Sequence, residues 1–222
     1  MKIFVASASP TDIQWAVEHA LADGVLTTPG ALAGERPGAD PRELLGEICR
    51  AHPLPVLASV ASVDPQDIYR EGRELAKLAD NVVLTVPLVD DAVIAIRRLA
   101  AEGVRVGATL VFSAPQALLA AKAGASVVSV PIDQLDALGN DSSAAVGEVR
   151  ALFDRGDIEC DLLAAFPATG SSLTRCGLAG ADATAVTSAM LRSLLVHPLT
   201  DRGIDGFLRE LSSRGKPRIA PV

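Results

Sequence analysis

Asn81-Val82-Val83-Leu84-Thr85-Val86-Pro87 decides how this chain folds. The run is short, β-branched and free of charge, and helical sequence lies directly before and after it. A strand that is apolar on both faces must be covered on both, which describes a parallel strand under helices. Working outward, the same signature recurs at residues 2–8, 24–28 and 55–61 on one side. On the other side it recurs at 104–112, 126–132, 158–166 and 183–188. Helical periodicity follows at 10–23, from Pro41 to about His52, and from Pro65 to about Asp80. It continues at 90–101, 115–123, about 142–155, 171–179 and 189–196. Pro10, Pro41, Pro65 and Pro115 stand where a helix opens, and Gly103 and Gly124 where one stops. Residues 34–40, rich in Gly and Pro, read as a loop, and so does the polar stretch before Ser142.

The chain therefore holds eight strand–helix units, spaced roughly every 22–32 residues, a period that suits βα repeats. Eight such units predict an α/β fold of the closed (β/α)8 TIM-barrel type. The rival is an open doubly wound sheet, whose mark would be a Gly-rich turn after the first strand. Here that turn reads Ala6-Ser7-Ala8-Ser9-Pro10, and the barrel is favoured. Residues 1–222 are expected to form one domain, with the barrel over about 2–198 and a C-terminal helix and tail over about 199–222. In the predicted helix 201–213, Ile204, Phe207, Leu208 and Leu211 fall at i, i+3, i+4 and i+7, one apolar stripe.

Composition narrows the function classes. Hydrophobic residues make up 49% of the chain, but there are only one Trp, one Tyr and five Phe. A core of Ala, Val and Leu suits helices packed closely on a sheet better than stacking of bases or sugar rings. A net charge of −7 with no basic stripe argues against nucleic acid as a partner. Cys49, Cys160 and Cys176 are widely spaced and read as reduced, buried thiols. His19, His52 and His197 lie far apart in helical contexts, so no metal site is expected, and no cofactor. No membrane span or signal peptide is legible, and a cytoplasmic protein is expected.

In a barrel the C-terminal strand ends build the site. Those positions are Ala6, Thr28, Ser59, Thr85, Thr109, Pro131, Phe166 and Ser188. None is a carboxylate, lysine, histidine or cysteine, so the set holds no general acid, base or activated nucleophile. As a binding surface it offers Thr28, Ser59, Thr85, Thr109 and Phe166 to a small molecule at the barrel mouth.

Several blocks carry a family resemblance. They are Gly24-Val25-Leu26-Thr27-Thr28-Pro29, residues 79–87, the long block from Gly107 to Ala125, Asp136-Ala137-Leu138-Gly139-Asn140-Asp141, and Gly177-Leu178-Ala179-Gly180-Ala181-Asp182. In order and spacing these resemble the small transaldolase and fructose-6-phosphate aldolase family along essentially the whole chain. The resemblance implies a (β/α)8 barrel, a Schiff base between a strand-four lysine and a ketose, and a ring assembly in which the C-terminal helix reaches a neighbour. It also implies which residues should do the chemistry, and most are replaced. The lysine position is Thr85 and the strand-one aspartate position is Ala6. The strand-two asparagine falls on Thr28 and the strand-three glutamine on Ser59. The strand-six tyrosine falls on Pro131 and the strand-seven serine on Phe166. Of the polar set Thr109 remains. Lys2 starts strand one at the barrel's bottom, Lys77 and Lys122 sit on outer helices, and Lys216 lies in the tail.

Two classes of function follow. One is a transaldolase-like barrel without Schiff-base activity, a pseudoenzyme or ligand-binding homologue. The other is a repurposed enzyme acting on a small carbonyl substrate less polar than a sugar phosphate, or residual aldolase activity on sugar phosphates. A homo-oligomer through the C-terminal helix is expected in either case.

Overall fold

Strands that are apolar on both faces can hide both at once by closing into a ring, with helices outside and side chains filling the inside. The computed structural model, which describes residues 1–213, has this arrangement. Eight parallel strands follow one another in chain order around a closed barrel. They are β1 (Lys2–Ala6), β2 (Gly24–Thr27), β3 (Val56–Ser59), β4 (Val82–Pro87), β5 (Val106–Thr109), β6 (Val127–Pro131), β7 (Asp161–Ala165) and β8 (Ala183–Thr187). Five paired positions, from Lys2↔Ala183 to Ala6↔Thr187, join the first strand to the last.

The helices between them are α1 (Pro10–Glu18), α2 (Pro29–Glu35), α3 (Pro41–Ala51), α4 (Pro65–Ala76), α5 (Asp90–Ala101), α6 (Ala114–Lys122), α7 (Ile132–Ala137), α8 (Ser142–Gly156) and α9 (Gly170–Leu178). These elements lie in one compact unit, Met1–Ser188. A second unit begins at Ala189. It holds most of α10 (Ser188–Ser193) and all of α11 (Pro198–Ser213). On α11 the side chains of Ile204, Phe207, Leu208 and Leu211 are exposed.

The period-two alternation of strands sorts the barrel's side chains into two cores. Outward-facing Val5, Val25, Val56, Leu84, Val86, Val128 and Leu162 join helix residues such as Ile13, Leu45, Ile68, Ile96, Leu99 and Phe153 in the larger core. Inward-facing Phe4, Leu26, Leu57, Val83, Leu163, Ala165, Ala183 and Ala185 form the smaller one inside the barrel. Each fully buried large side chain contributes about 1.5–3 kcal/mol, so the outer layer dominates stability. The inner layer is the thinner one, its five larger side chains sharing the barrel with three alanines. Gly107 on β5 faces the Val127 side chain, and a Cβ there would meet the Val127 carbonyl oxygen at 2.9 Å.

The elements match the sequence expectation in number and order of strands and differ in detail. Two short helices occupy stretches read as loop. α2 opens at Pro29 under a Thr28 cap, and its Gly30 and Gly34 hide its helical character. α7 is six residues long and has no side-chain cap. The strands are also shorter than the apolar runs containing them, because the ends of each run serve the loops. The three cysteines are unpaired and buried. Burial pushes the Cys49 thiol up to about 11 and the Cys160 thiol up to about 12. No helix among the described residues is long and apolar enough to cross a membrane.

Candidate ligand site at the barrel mouth

Counting by twos from the inward cluster places the mouth residues. Val83 faces inward, hence so does Thr85; Leu57 gives Ser59, Gly107 gives Thr109, and Val127 gives Ser129 and Pro131. Ser59 and Thr85 are register partners, and their hydroxyls are hydrogen-bonded at 2.7 Å. Thr85 is 5% exposed. Thr109 is half-buried and Ser129 is 4% exposed. Neither side chain has a hydrogen-bond partner among the described residues. Four neighbouring strands, β3 to β6, thus turn hydroxyls inward.

The other arc is mostly apolar, with Thr187 at the end of β8 its one inward hydroxyl on a strand. β7 presents Ala165, β8 Ala185, β1 Ala6 and β2 Leu26, and Phe166 packs on the same cluster. Phe166 stands just past β7 with φ +57°, in the left-handed region that a bulky side chain rarely adopts. Its N–H donates to the Ala185 carbonyl at 2.8 Å, which ties the backbone there to β8. Leu110, just past β5, has the same backbone state. Thr28 is engaged elsewhere, its Oγ1 accepting from the Ala31 N–H at 3.2 Å as the cap of α2. Ser188 donates to Asp12 Oδ2 at 2.7 Å.

Charge sits elsewhere. Among the described strand residues, Lys2 and Asp161 are the only charged ones. They start β1 and β7, at the opposite end from the mouth, and pair with each other at 3.0 Å. Lys77 caps the C-terminus of α4 and Lys122 ends α6. A helix that follows a parallel strand ends where the next strand begins, so both lie at the barrel's bottom. Lys216 lies outside the described residues. A cavity of about 430 Å³ opens at the bottom too, lined by Lys2, Phe4, Leu57, Val83, Arg105 and Asp161 among others. Its polar groups are already engaged: Lys2 with Asp161, Asp23 with the Ile3 N–H, and Arg105 with the Asp80 carbonyl. It offers a ligand no free polar group of this set.

Two residues of interest were not among the strand-end candidates. Ser129 was passed over because it is one layer below the strand's end, although its place in Val127-Val128-Ser129-Val130 gives its parity. Asp133, in the first turn of α7 beyond β6, has a buried Oδ1 without a hydrogen-bond partner. No sequence pattern marks it. Among the described residues no group of three or more His, Cys, Asp or Glu side chains could hold a metal ion.

The chain is a parallel eight-stranded barrel whose mouth, among the described residues, is lined by hydroxyls and holds no lysine, and barrels of this kind build their sites at the strand ends. The family follows from comparison. Residues 40–215 match the model of the transaldolase/fructose-6-phosphate aldolase family, and the chain belongs to that family. A probable transaldolase of Hyphomonas neptunium is 40% identical over 215 residues, which cover 97% of this chain and 99% of that one. A probable transaldolase of Bartonella tribocorum is 40% identical over 216 residues, with the same two coverages. Among solved structures, FabK from Thermotoga maritima superposes on 84% of this chain and 57% of its own, with a TM-score of 0.56 and 19% identity. A cube-shaped, porous protein cage designed by fusing symmetric oligomeric domains gives a TM-score of 0.59 at 17% identity, over 84% of this chain and 62% of its own. Both likenesses concern the fold alone.

Proposed function

We propose that this family member has left Schiff-base chemistry and serves as a binding protein for a small molecule at the barrel mouth. One observation carries the reading. Where the family resemblance puts the reactive lysine, Thr85 holds a hydroxyl already bonded to Ser59 at 2.7 Å. A hydroxyl cannot form an imine, and the lysines of the described residues lie at the opposite end of the barrel. Loss of the amine is accompanied by Ala6, Pro131 and Phe166 in place of polar family residues, so the acid–base partners went with it. Ser59, Thr85, Thr109 and Phe166 are the side chains proposed to contact the ligand, with Thr28 held as a cap at the rim. Assembly belongs to the same proposal. The exposed stripe Ile204, Phe207, Leu208 and Leu211 on α11 supports a homo-oligomer through that helix.

The test is reductive trapping. Incubation with dihydroxyacetone or fructose 6-phosphate and borohydride should leave the intact mass unchanged. A trapped adduct on any lysine, Lys216 included, would sink the reading. It would favour the second one, retained aldolase-type activity, which the 40% identity to probable transaldolases supports. Turnover of a small carbonyl compound without an adduct would instead favour a repurposed enzyme, which apolar Pro131 and Phe166 support.

A further inference from the structure

Resting on the binding-protein reading, we infer that the mouth selects by charge: it takes an uncharged molecule bearing neighbouring oxygens and an apolar flank, and it rejects phosphate esters. The first ground is the two-sided lining. Ser59, Thr85, Thr109 and Ser129 follow one another on consecutive strands, while Ala165, Ala185, Ala6 and Leu26 line most of the facing arc under Phe166, with Thr187 at its rim. Ser129 is the pointed case. The residue is 4% exposed and faces inward, and its hydroxyl makes no hydrogen bond to a described residue. A hydroxyl left open in this way can bond a ligand oxygen or a water.

The second ground is the rim. Every helix that follows a strand begins at the mouth, and helix N-termini are where barrels hold phosphate. Here the chain fills five of those termini, at α2, α3, α4, α8 and α9, with its own acceptors, while α1, α5, α6 and α7 carry no side-chain cap. Asp40 accepts from the Arg42 N–H, Asp64 from those of Gln66 and Asp67, and Asp141 from those of Ser143 and Ala144. Thr169 does the same for Ser172 on α9, after β7, and Glu71 takes the Ala61 and Ser62 N–H groups of the loop after β3. First turns add Asp12, Glu43, Asp67, Asp90, Asp91 and Asp133. The one cation in the first turns of α1 to α9 is Arg42. An incoming dianion meets carboxylates: at the capped termini the backbone donors it would use are taken, and at the uncapped α1, α5 and α7 a first-turn aspartate repels it. The unpartnered Oδ1 of Asp133 adds a buried acceptor suited to a hydroxyl donor.

Saturation-transfer NMR on the full chain tests this with three probes: 1-phenyl-1,2-ethanediol, glycerol and dihydroxyacetone phosphate. The aryl diol should bind at least about tenfold more tightly than glycerol, and the phosphate ester should show no saturable binding. Ser129→Ala and Thr109→Val should each weaken diol binding about fivefold, the worth of one ordinary hydrogen bond, with unchanged melting. Thr109 is half-buried, so its variant keeps the test intact when Ser129→Ala fails to fold. Phosphate binding as tight as the diol, wild-type affinity in the variants, or no diol binding at all would each overturn the inference. A borohydride-trapped imine would overturn the binding-protein reading instead, leaving these titrations to decide charge selectivity separately.

Discussion

On the proposed reading Thr85 stands where the family resemblance puts the lysine, and an amine restored there should not by itself restore aldolase chemistry. Thr85→Lys breaks the bond to Ser59 and puts an ammonium into an inward-facing position that is 5% exposed. Its pKa will fall through desolvation, at a stability cost of a few kcal/mol, on the order expected for a buried charge. Each missing acid–base partner is worth about 10²–10⁴-fold in rate, so fructose 6-phosphate cleavage by the single variant should stay near background in a coupled assay. Gly107→Ala tests the inner layer. Its Cβ runs into the Val127 side chain and carbonyl, and overpacking of this kind costs about 1–3 kcal/mol. Urea unfolding should show that loss, and a wild-type midpoint would disprove the tight packing. The site was half legible at this scale. The absence of acid, base and amine could be read from strand-end parity, whereas Phe166 gave no sign of its backbone state. Left-handed positions are anticipated from Gly or Asn, and an aromatic there is held by tertiary contacts alone.

Between elements, single side chains act as fasteners. Asn81 Nδ2, at the entry to β4, lies within 3.1 Å of the Cys49 carbonyl, 3.0 Å of His52 and 2.8 Å of Leu54, joining the end of α3 and the approach to β3. Asn81→Ala strips these partly buried carbonyls of a donor and should cost about 1–3 kcal/mol, read as a lowered melting temperature. Asp136 fastens α7 to α9 by accepting from Ser172 Oγ at 2.8 Å. Burial pushes its pKa up, but hydrogen bonds from the Ser142 side chain, from Ser172 and from the Ser142 backbone outweigh this and hold it below the ordinary carboxylate value. A depressed folded pKa gives stability that is present above the unfolded value of about 3.9 and is lost as pH falls through the folded one. Melting temperature should therefore drop below about pH 4 in the wild type and less steeply in Asp136→Asn. The strands were legible because their apolar runs are unmistakable. α2 and α7 were not, since glycines in one and six-residue length in the other leave no helical period to read.

For the whole molecule, the eightfold repeat was plain in the chain because each unit carries its own apolar run and its own Pro or Gly boundary. How copies of it associate is not written so plainly. Light scattering at micromolar concentration should give a mass above that of one 22.9 kDa chain, and Phe207→Glu should lower it toward that value. A monomeric wild type would end the α11 proposal. Native thiols should resist iodoacetamide at pH 8, since those of Cys49 and Cys160 ionise only near 11 and 12, and should react once the chain is unfolded. The five-position pairing of β1 with β8 has a consequence in time. At about 5–20 residues per second, the ribosome finishes the first strand roughly ten to thirty seconds before it makes the last. Throughout that interval Phe4 and Val5 wait on an open edge, the kind that recruits foreign strands. A circular permutant carrying β1 after β8 would pass the wait to β2, whose edge toward β1 then stays open instead, so its yield of soluble chain should remain as sensitive to slow synthesis as that of the native order.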